Sequence, residues 1–292
     1  MKAQAIYNVP RSILGEGPVW DDRLNALYWV DIIGGKVHGL KDNRVDTVFQ
    51  INDFVTCVAL TSNPNYLLVT LKDRVVLVDV NARSIVKTLA KVDEPSTNRL
   101  NDCKVDAAGR LWFGSMDMNE REPSGSLYVL DPSGTVRKVL SGVTISNGIV
   151  WSLDNKFMYY IDSPTRKIMV FRFDLDKGEL MNKAMDIDLS RHEGIPDGMT
   201  IDSEGYLWVA MYGGGRVLRI DPGKRVVIDE VDVPVSYTTS CTFGGGDGLM
   251  SLYITTARNY PREVEREGDD GKVFIANTEI RGYTANKYLV NL

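Results

Sequence analysis

The 292-residue sequence predicts an all-β protein folded as a six-bladed β-propeller. Three observations lead to this prediction. A weak repeat recurs six times at spacings of 40 to 50 residues, and repeats of that length are typical of propellers and arrays. Each unit contains short strand-like runs separated by turn residues. No segment has a convincing helical period over four turns.

Each repeat unit opens with a small residue at the start of an apolar strand. A turn follows, and then a second strand rich in aromatic and β-branched side chains. Successive openings are 40, 46, 45, 50 and 43 residues apart. The six units open at Gly17, Cys57, Cys103, Gly148, Gly198 and Cys241.

Further strand-like runs within each unit, such as residues 74–80 and 167–174, raise the number of strands to about four per blade. Short strands in regular groups of four favour a propeller over a sandwich. We expect residues 3–9 (AQAIYNV) to complete the sheet of the last blade near residues 252–276, which would close the ring and leave few sheet edges exposed. The charged run 261–272 is expected to be an exposed hairpin or loop of that blade.

The bulk properties indicate a globular protein and exclude several classes. We expect one domain over residues 1–292, since no linker rich in Pro, Gly or Ser divides the chain. A net charge of −5 gives no support for nucleic-acid binding. The sequence contains no run of about 18 apolar residues, which a membrane-spanning helix would need, and its N-terminus lacks a signal-peptide pattern. Three widely spaced cysteines argue against a disulfide framework and suit a reducing compartment, so we expect a cytoplasmic protein.

The residue before each unit opening carries a side-chain oxygen. If the blades superpose, these six side chains lie at one height and face the central channel. Like charges in a confined channel repel strongly, and a divalent cation would compensate them. Oxygen ligands suit Ca²⁺, Mg²⁺ and Mn²⁺, and Fe²⁺ also fits. The six are Glu16, Thr56, Asp102, Asn147, Asp197 and Ser240.

Strand-end capping is the alternative interpretation of these positions, because short polar side chains often bond backbone amides in tight turns. It is favoured for Thr56, Asp102 and Ser240. Glutamate is a poor turn residue, so a cation is favoured for Glu16 and its two partners. The metal triad is then Glu16, Asn147 and Asp197. The absence of Cys/His spacings disfavours structural zinc.

Several motifs resemble the regucalcin (senescence marker protein), gluconolactonase and luciferin-regenerating enzyme family. They occur in family order at residues 14–32, 98–117, 125–131, 145–152 and 195–217. The resemblance implies a six-bladed propeller with one divalent cation held by the Glu of GEGP, the Asn of SNG and the Asp of PDG. These are Glu16, Asn147 and Asp197, so two separate arguments select the same residues. The ion is left open among Ca²⁺, Zn²⁺, Mn²⁺, Mg²⁺ and Fe²⁺.

The resemblance also implies substrate contacts. They fall on Arg99 and Asn101 of the RLND stretch, and on Glu120 or its neighbour Asn119. Without the resemblance, Arg99 would be interpreted as a surface ion pair and Asn101 as a turn residue.

The implied activity is hydrolysis of a small sugar lactone such as gluconolactone or xylonolactone. Asp197 is the candidate general base, and Asp102 is a candidate to relay the proton or orient the water. A Ser–His–Asp mechanism is disfavoured, because the sequence lacks a GxSxG motif and the histidine would have to be His38 or His192.

Two rival functions remain open. One is a non-catalytic propeller that binds calcium or another protein, and the other is an esterase acting on an aryl ester or an organophosphate. For the partners we expect a small-molecule lactone, no nucleic acid, no membrane, and a monomer or weak dimer.

Overall fold

The computed structural model describes residues 1–258 and 268–290. Within these ranges 24 strands form six four-stranded antiparallel sheets, and the helical elements are two 3-10 turns, Ser163–Thr165 and Gly246–Gly248. No helix in the described ranges is long and apolar enough to cross a membrane. The predicted six-bladed propeller is confirmed.

The first three sheets each follow chain order, so that each blade is an antiparallel meander. Blade 1 contains β2 (Gly15–Asp21), β3 (Ala26–Asp31), β4 (Lys36–Lys41) and β5 (Arg44–Gln50). Blade 2 contains β6 (Val55–Leu60), β7 (Tyr66–Leu71), β8 (Arg74–Asp79) and β9 (Ser84–Lys91). Blade 3 contains β10 (Asn98–Val105), β11 (Leu111–Asp117), β12 (Gly125–Leu130) and β13 (Val136–Val143).

Blades 4 and 5 repeat this order, and blade 6 borrows its outer strand from the N-terminus. Blade 4 contains β14 (Ser146–Trp151), β15 (Phe157–Asp162), β16 (Lys167–Asp174) and β17 (Glu179–Asp188). Blade 5 contains β18 (Ile195–Ile201), β19 (Leu207–Tyr212), β20 (Arg216–Asp221) and β21 (Val226–Asp232). Blade 6 contains β22 (Thr238–Gly244), β23 (Ser251–Thr256), β24 (Phe274–Asn277) and β1 (Gln4–Ala5).

The ring closes as the sequence predicts, with the N-terminal strand on the sheet of the last blade. Gln4 pairs with Ile275 and Ala5 with Phe274. The strand is shorter than the expected 3–9 because the chain turns at residues 7–8. Residues 261–267 of the charged run lie outside the described residues.

The hydrophobic core lies in the seams between blades. Six clusters of buried side chains correspond to the six pairs of neighbouring blades. Trp112 and Trp208 are fully buried, and each indole Nε1 donates to an aspartate of the preceding turn at 2.9 Å, Asp106 and Asp202 respectively. Burial of a large ring with its N–H satisfied is strongly stabilising, and truncation of a buried Trp to Ala costs about 3–5 kcal/mol.

The chain's last described segment, residues 279–290, crosses one end of the propeller, and we call it the C-terminal strap. Its backbone first contacts blades 5 and 6. The Ser203 N–H donates to Arg281 O, and the Gly282 N–H donates to Leu249 O. It then bonds blade 2, where the Tyr288 N–H donates to Leu60 O. We call this end of the channel the lower end and the opposite end the upper end.

A disulfide between Cys57 and Cys103 corrects the expectation that the cysteines would be unpaired. The two residues are 46 positions apart in sequence, but they occupy equivalent positions on β6 and β10, the innermost strands of adjacent blades, with their Cα atoms 6.0 Å apart. Cysteines at that Cα separation are within the usual bonding range. Cys241 is a buried free thiol.

Candidate functional site

The innermost strand of every blade has an irregular register at the level of the ring residues. In blade 3 the pairing breaks between Leu100 and Cys103, and in blade 5 between Pro196 and Met199. The residues between the paired positions leave the ladder, and such β-bulges re-aim side chains. The irregular register leaves four ring residues outside the ladder, whereas Glu16 and Ser240 stay paired immediately before and after it.

Three of the six ring positions line a cavity of about 100 Å³ at the upper end of the channel, the upper cavity. They are Glu16, Asn147 and Asp197, and we call them the floor of the cavity. The expected substrate contacts Arg99, Asn101 and Glu120 line the same cavity. The structure thus brings these six predicted site residues together.

The other three ring positions do not line the upper cavity. Asp102 and Ser240 border a second space of about 70 Å³, the lower cavity, which lies between the ring and the strap residues Tyr283 and Asn286. The Thr56 hydroxyl lies within blade 2, 2.7 Å from Thr70 Oγ1. These are the three positions for which strand-end capping is favoured, and Asp102 Oδ1 accepts from the backbone N–H of Cys103 at 2.7 Å.

Burial dominates the electrostatics of the floor. It raises the pKa of Glu16 to about 8, and the negative charge of Asp102 adds to that shift. Burial also raises the pKa of Asp197 well above its usual range, and the negative charge of Glu16 is the second cause of this shift. Desolvation and like charge both disfavour the ionised carboxylates. The cluster is short of positive charge, since Arg99 is the one cation among the residues lining the upper cavity.

A chain of hydrogen bonds fixes the orientation of the Asn147 amide. Its Oδ1 accepts from Asn101 Nδ2 at 2.8 Å, and its Nδ2 donates to Ser163 Oγ at 2.8 Å. Ser163 Oγ in turn donates to Pro196 O at 2.7 Å. Ser163 lines the upper cavity. The repeat does not reveal it, because it lies just after the second strand of blade 4, where no other unit has a hydroxyl side chain.

Arg99 is buried at 3% exposure, so its interpretation as a surface ion pair is wrong. Its Nη1 donates to Leu100 O at 3.0 Å and to Asn101 Oδ1. Asn101 is 7% exposed, and its Nδ2 also donates to Ser146 O at 2.8 Å. These bonds fix both side chains before any substrate arrives.

Glu120, rather than Asn119, lines the upper cavity. Asn119 is exposed, and its Nδ2 bonds Asp117 Oδ1 at 3.3 Å. Glu120 has a φ of 59°, in the left-handed region, which turns the chain after β11. Its charge contributes to the raised pKa of Asp197, which is consistent with a position facing the floor.

The floor has a donor set that fits a hard divalent cation. It offers two carboxylates and one carboxamide oxygen, and oxygen-only sets suit Ca²⁺, Mg²⁺ and Mn²⁺. The excess of buried negative charge is what a cation would compensate. In residues 1–258 and 268–290, no three His, Cys, Asp or Glu side chains form a group that could hold a metal by themselves. Asn147 is therefore needed to complete the set.

Neither histidine lines the upper cavity. His38 is buried in blade 1, with its ring centroid 5.2 Å from that of Trp29 and its Nδ1 3.4 Å from Thr47 Oγ1. His192 lies in the loop before β18, where its backbone N–H donates to the backbone carbonyl of Leu189. A triad built on either ring gains no support.

The fold is that of known proteins. The family model "SMP-30/Gluconolactonase/LRE-like region" matches residues 14–258. Regucalcin of Gallus gallus is 43% identical over 283 residues, 92% of each chain, and the Bacillus subtilis protein named "Putative sugar lactone lactonase YvrE" is 39% identical over 276 residues, 94% of each chain. The solved structure of a calcium-binding protein, regucalcin, from Agrobacterium tumefaciens superposes with a TM-score of 0.88 at 26% identity, covering 99% of this chain and 97% of the other. The chain therefore belongs to the SMP-30/gluconolactonase/LRE-like family.

Proposed function

We propose that this protein hydrolyses small sugar lactones with the help of one divalent cation held by Glu16, Asn147 and Asp197. The supporting observation is the shared upper cavity, where two buried carboxylates and an oriented amide lie beside the guanidinium of Arg99. The lactonase name of the Bacillus subtilis relative supports the reaction, and the calcium-binding description of the Agrobacterium regucalcin supports the cation.

When bound, the cation supplies Lewis acidity toward the lactone carbonyl and lowers the pKa of water. Asp197 takes the proton of the attacking water, because it lies on the floor of the upper cavity beside the position that the cation would hold. The Asp102 side chain borders the lower cavity, so it does not contact the attacking water. Its negative charge instead acts on Asp197, whose pKa it raises. Arg99 donates to the oxygen on which negative charge develops.

Asn101 has a narrower role than a sugar-binding amide. Its Nδ2 already donates to Ser146 O and Asn147 Oδ1, so both N–H bonds are used. Its Oδ1 accepts from Arg99 and keeps one lone pair. We therefore assign Asn101 to positioning Arg99 and Asn147 and to accepting one substrate hydroxyl, while Glu120 accepts another at the rim.

The test is hydrolysis of gluconolactone, xylonolactone and an aryl ester by protein stripped of metal, with and without added Ca²⁺, Zn²⁺ or Mn²⁺. We expect cation-dependent proton release with the lactones, and loss of at least about 100-fold in kcat in Glu16→Gln and Asp197→Asn. Ser240→Ala is the matched control, since this ring residue borders the lower cavity.

Three outcomes would contradict the proposal. Full activity of both variants in metal-free buffer would remove the cation from the mechanism. Cation binding without turnover of any substrate would favour the non-catalytic calcium-binding propeller. Preference for the aryl ester would change the substrate class.

A further inference from the structure

The upper cavity is polar on one side and largely apolar on the other. Blade order places blades 3 and 4 across the channel from blades 6 and 1, and blades 5, 6 and 1 are consecutive in the ring. Residues that line the cavity come from both sides, but they differ in chemistry. This difference constrains how a lactone lies in the cavity.

The polar side is formed by blades 3 and 4. Blade 3 contributes the guanidinium of Arg99, the amide of Asn101 and the carboxylate of Glu120, and Ser163 follows the second strand of blade 4. Two apolar side chains, Met116 and Ile145, also lie at the seam of these blades, where they form an isolated bridge. A hydroxylated ligand edge therefore finds charged and neutral hydrogen-bonding partners here.

The other side is formed by blades 5 and 1, which flank blade 6 across the channel from blade 3, and we call it the apolar wall. It consists of Leu14, Ile32, Ile195 and Tyr212. Apart from the floor carboxylates, the Tyr212 hydroxyl is the one polar side-chain group that this side contributes to the lining of the described cavity. The Tyr212 ring packs on Tyr237 with centroids 4.7 Å apart, and Ile195 is 39% exposed at the mouth.

A five-membered sugar lactone has two unlike edges that extend from its carbonyl carbon. One edge, C2–C3, carries two ring hydroxyls. The other edge runs through the ring oxygen to C4, which carries the exocyclic chain. With the carbonyl at the floor and the ring hydroxyls toward blades 3 and 4, the exocyclic chain lies against the apolar wall and ends near Ile195.

We propose that the upper cavity selects deoxy-aldonolactones, in which the exocyclic chain ends in a methyl group rather than a hydroxymethyl group. This inference rests on the proposed lactone hydrolysis and narrows its substrate class. A terminal hydroxyl packed against the apolar wall exchanges part of its hydration for contact with aliphatic side chains, which offer it no hydrogen-bond partner. A methyl group in the same place is removed from water at no such cost.

The test compares two lactones that differ by that one hydroxyl, D-fucono-1,4-lactone and D-galactono-1,4-lactone, on the metal-loaded protein. We expect kcat/KM to be about tenfold higher for the deoxy lactone, within the range by which apolar pockets discriminate single groups. Ile195→Thr offers a hydroxyl partner and should reduce the ratio toward one. Leu153→Thr is the control, because Leu153 is similarly exposed at 38% and does not line the upper cavity.

Binding of the two matching non-hydrolysable lactams, measured by calorimetry, separates this inference from the proposed function. The selectivity is supported if the deoxy lactam binds tenfold more tightly to wild type and Ile195→Thr removes this difference in Kd, even if no lactone is hydrolysed. Equal or tighter binding and turnover of the hydroxymethyl compounds would overturn it, although lactone hydrolysis itself would then stand. A ratio that Leu153→Thr changes as much as Ile195→Thr would also overturn it.

Discussion

Asn101 Nδ2 donates to Asn147 Oδ1 at 2.8 Å across the seam between blades 3 and 4. A residue expected to contact substrate thus holds a residue expected to bind the cation. Since Asn101 also accepts from Arg99, substrate contact and cation site share one hydrogen-bonded unit. Substitution on one side of this unit should therefore alter the other.

We expect Asn101→Leu to weaken cation binding by about 10–100-fold, because groups that orient a metal ligand contribute about that much to affinity. The measurement is calorimetric titration of the stripped protein with Ca²⁺. Ser240→Ala should keep the wild-type affinity, since it borders the lower cavity. Unchanged Ca²⁺ affinity in Asn101→Leu would show that Asn147 needs no support from blade 3.

Loss of the Cys57–Cys103 disulfide should destabilise the protein by about 2–4 kcal/mol, because the bond restricts the unfolded chain across 46 residues. The measurement is urea unfolding of wild type and of Cys57→Ala/Cys103→Ala, each with and without reductant. Reductant should lower the stability of wild type to that of the double variant. It should leave the double variant itself unchanged, and an equal response of both proteins would argue against the bond.

His38 should make the fold acid-sensitive. Burial lowers its pKa to about 4, and the opposing charge of Asp31 and the like charge of Lys36 contribute less. An unfolded histidine has a pKa near 6.5, so between about pH 6.5 and 4 the unfolded chain binds a proton that the folded chain does not. This stabilisation is complete above pH 6.5 and is lost as the pH falls toward 4, by about 2–3 kcal/mol.

Two measurements check the role of His38. The chain has two histidines, and the imidazole NMR signal that disappears in His38→Gln should titrate near pH 4. Wild type should also lose about 2–3 kcal/mol more than His38→Gln between pH 7 and 4.5. Equal losses in the two proteins would assign the acid sensitivity to other groups.

Gly198→Ala should cost about 1–3 kcal/mol of stability through overpacking. A Cβ at this position would lie 2.1 Å from Ser240 Oγ, because the innermost strands of blades 5 and 6 approach closely there. Thermal unfolding should place Gly198→Ala well below wild type and should show partial recovery in Gly198→Ala/Ser240→Gly. Gly223→Ala, on an exposed turn with its nearest atom 3.3 Å away, should be near neutral.

The fold could be predicted because a propeller repeats one local pattern. Each unit places a small residue on an innermost strand, and all six predicted openings lie on β2, β6, β10, β14, β18 and β22. The strap could not be predicted in this way, because residues 279–290 belong to no repeat and are held mainly by backbone bonds to turns of distant blades. The Cys57–Cys103 disulfide could have been predicted from the sequence. The repeat already put Cys57 and Cys103 at matching positions of adjacent blades, whereas the count of cysteines says nothing about proximity.

The candidate site could be predicted only as far as the ring. The six polar positions follow from the repeat, but which of them line the upper cavity depends on where the bulge of each innermost strand lies relative to the ring residue. A bulge is a property of two paired strands, and a single strand's sequence does not reveal it. The apolar wall was missed for a related reason, since Leu14, Ile32 and Ile195 resemble any buried strand residue until the ring brings them to one cavity.

The pairing of β1 with β24 also has a consequence for the order in which the protein is made. Gln4 is synthesised before all of the other strands described above, whereas its partner Ile275 follows 271 residues later. Blades 1 to 5 can form in turn from contiguous chain, whereas the sixth sheet is complete only after Asn277 has emerged. Until then the nascent chain is an open arc whose end blades expose apolar faces that the closed ring buries in the seam between blades 6 and 1, and such surface invites association with other chains.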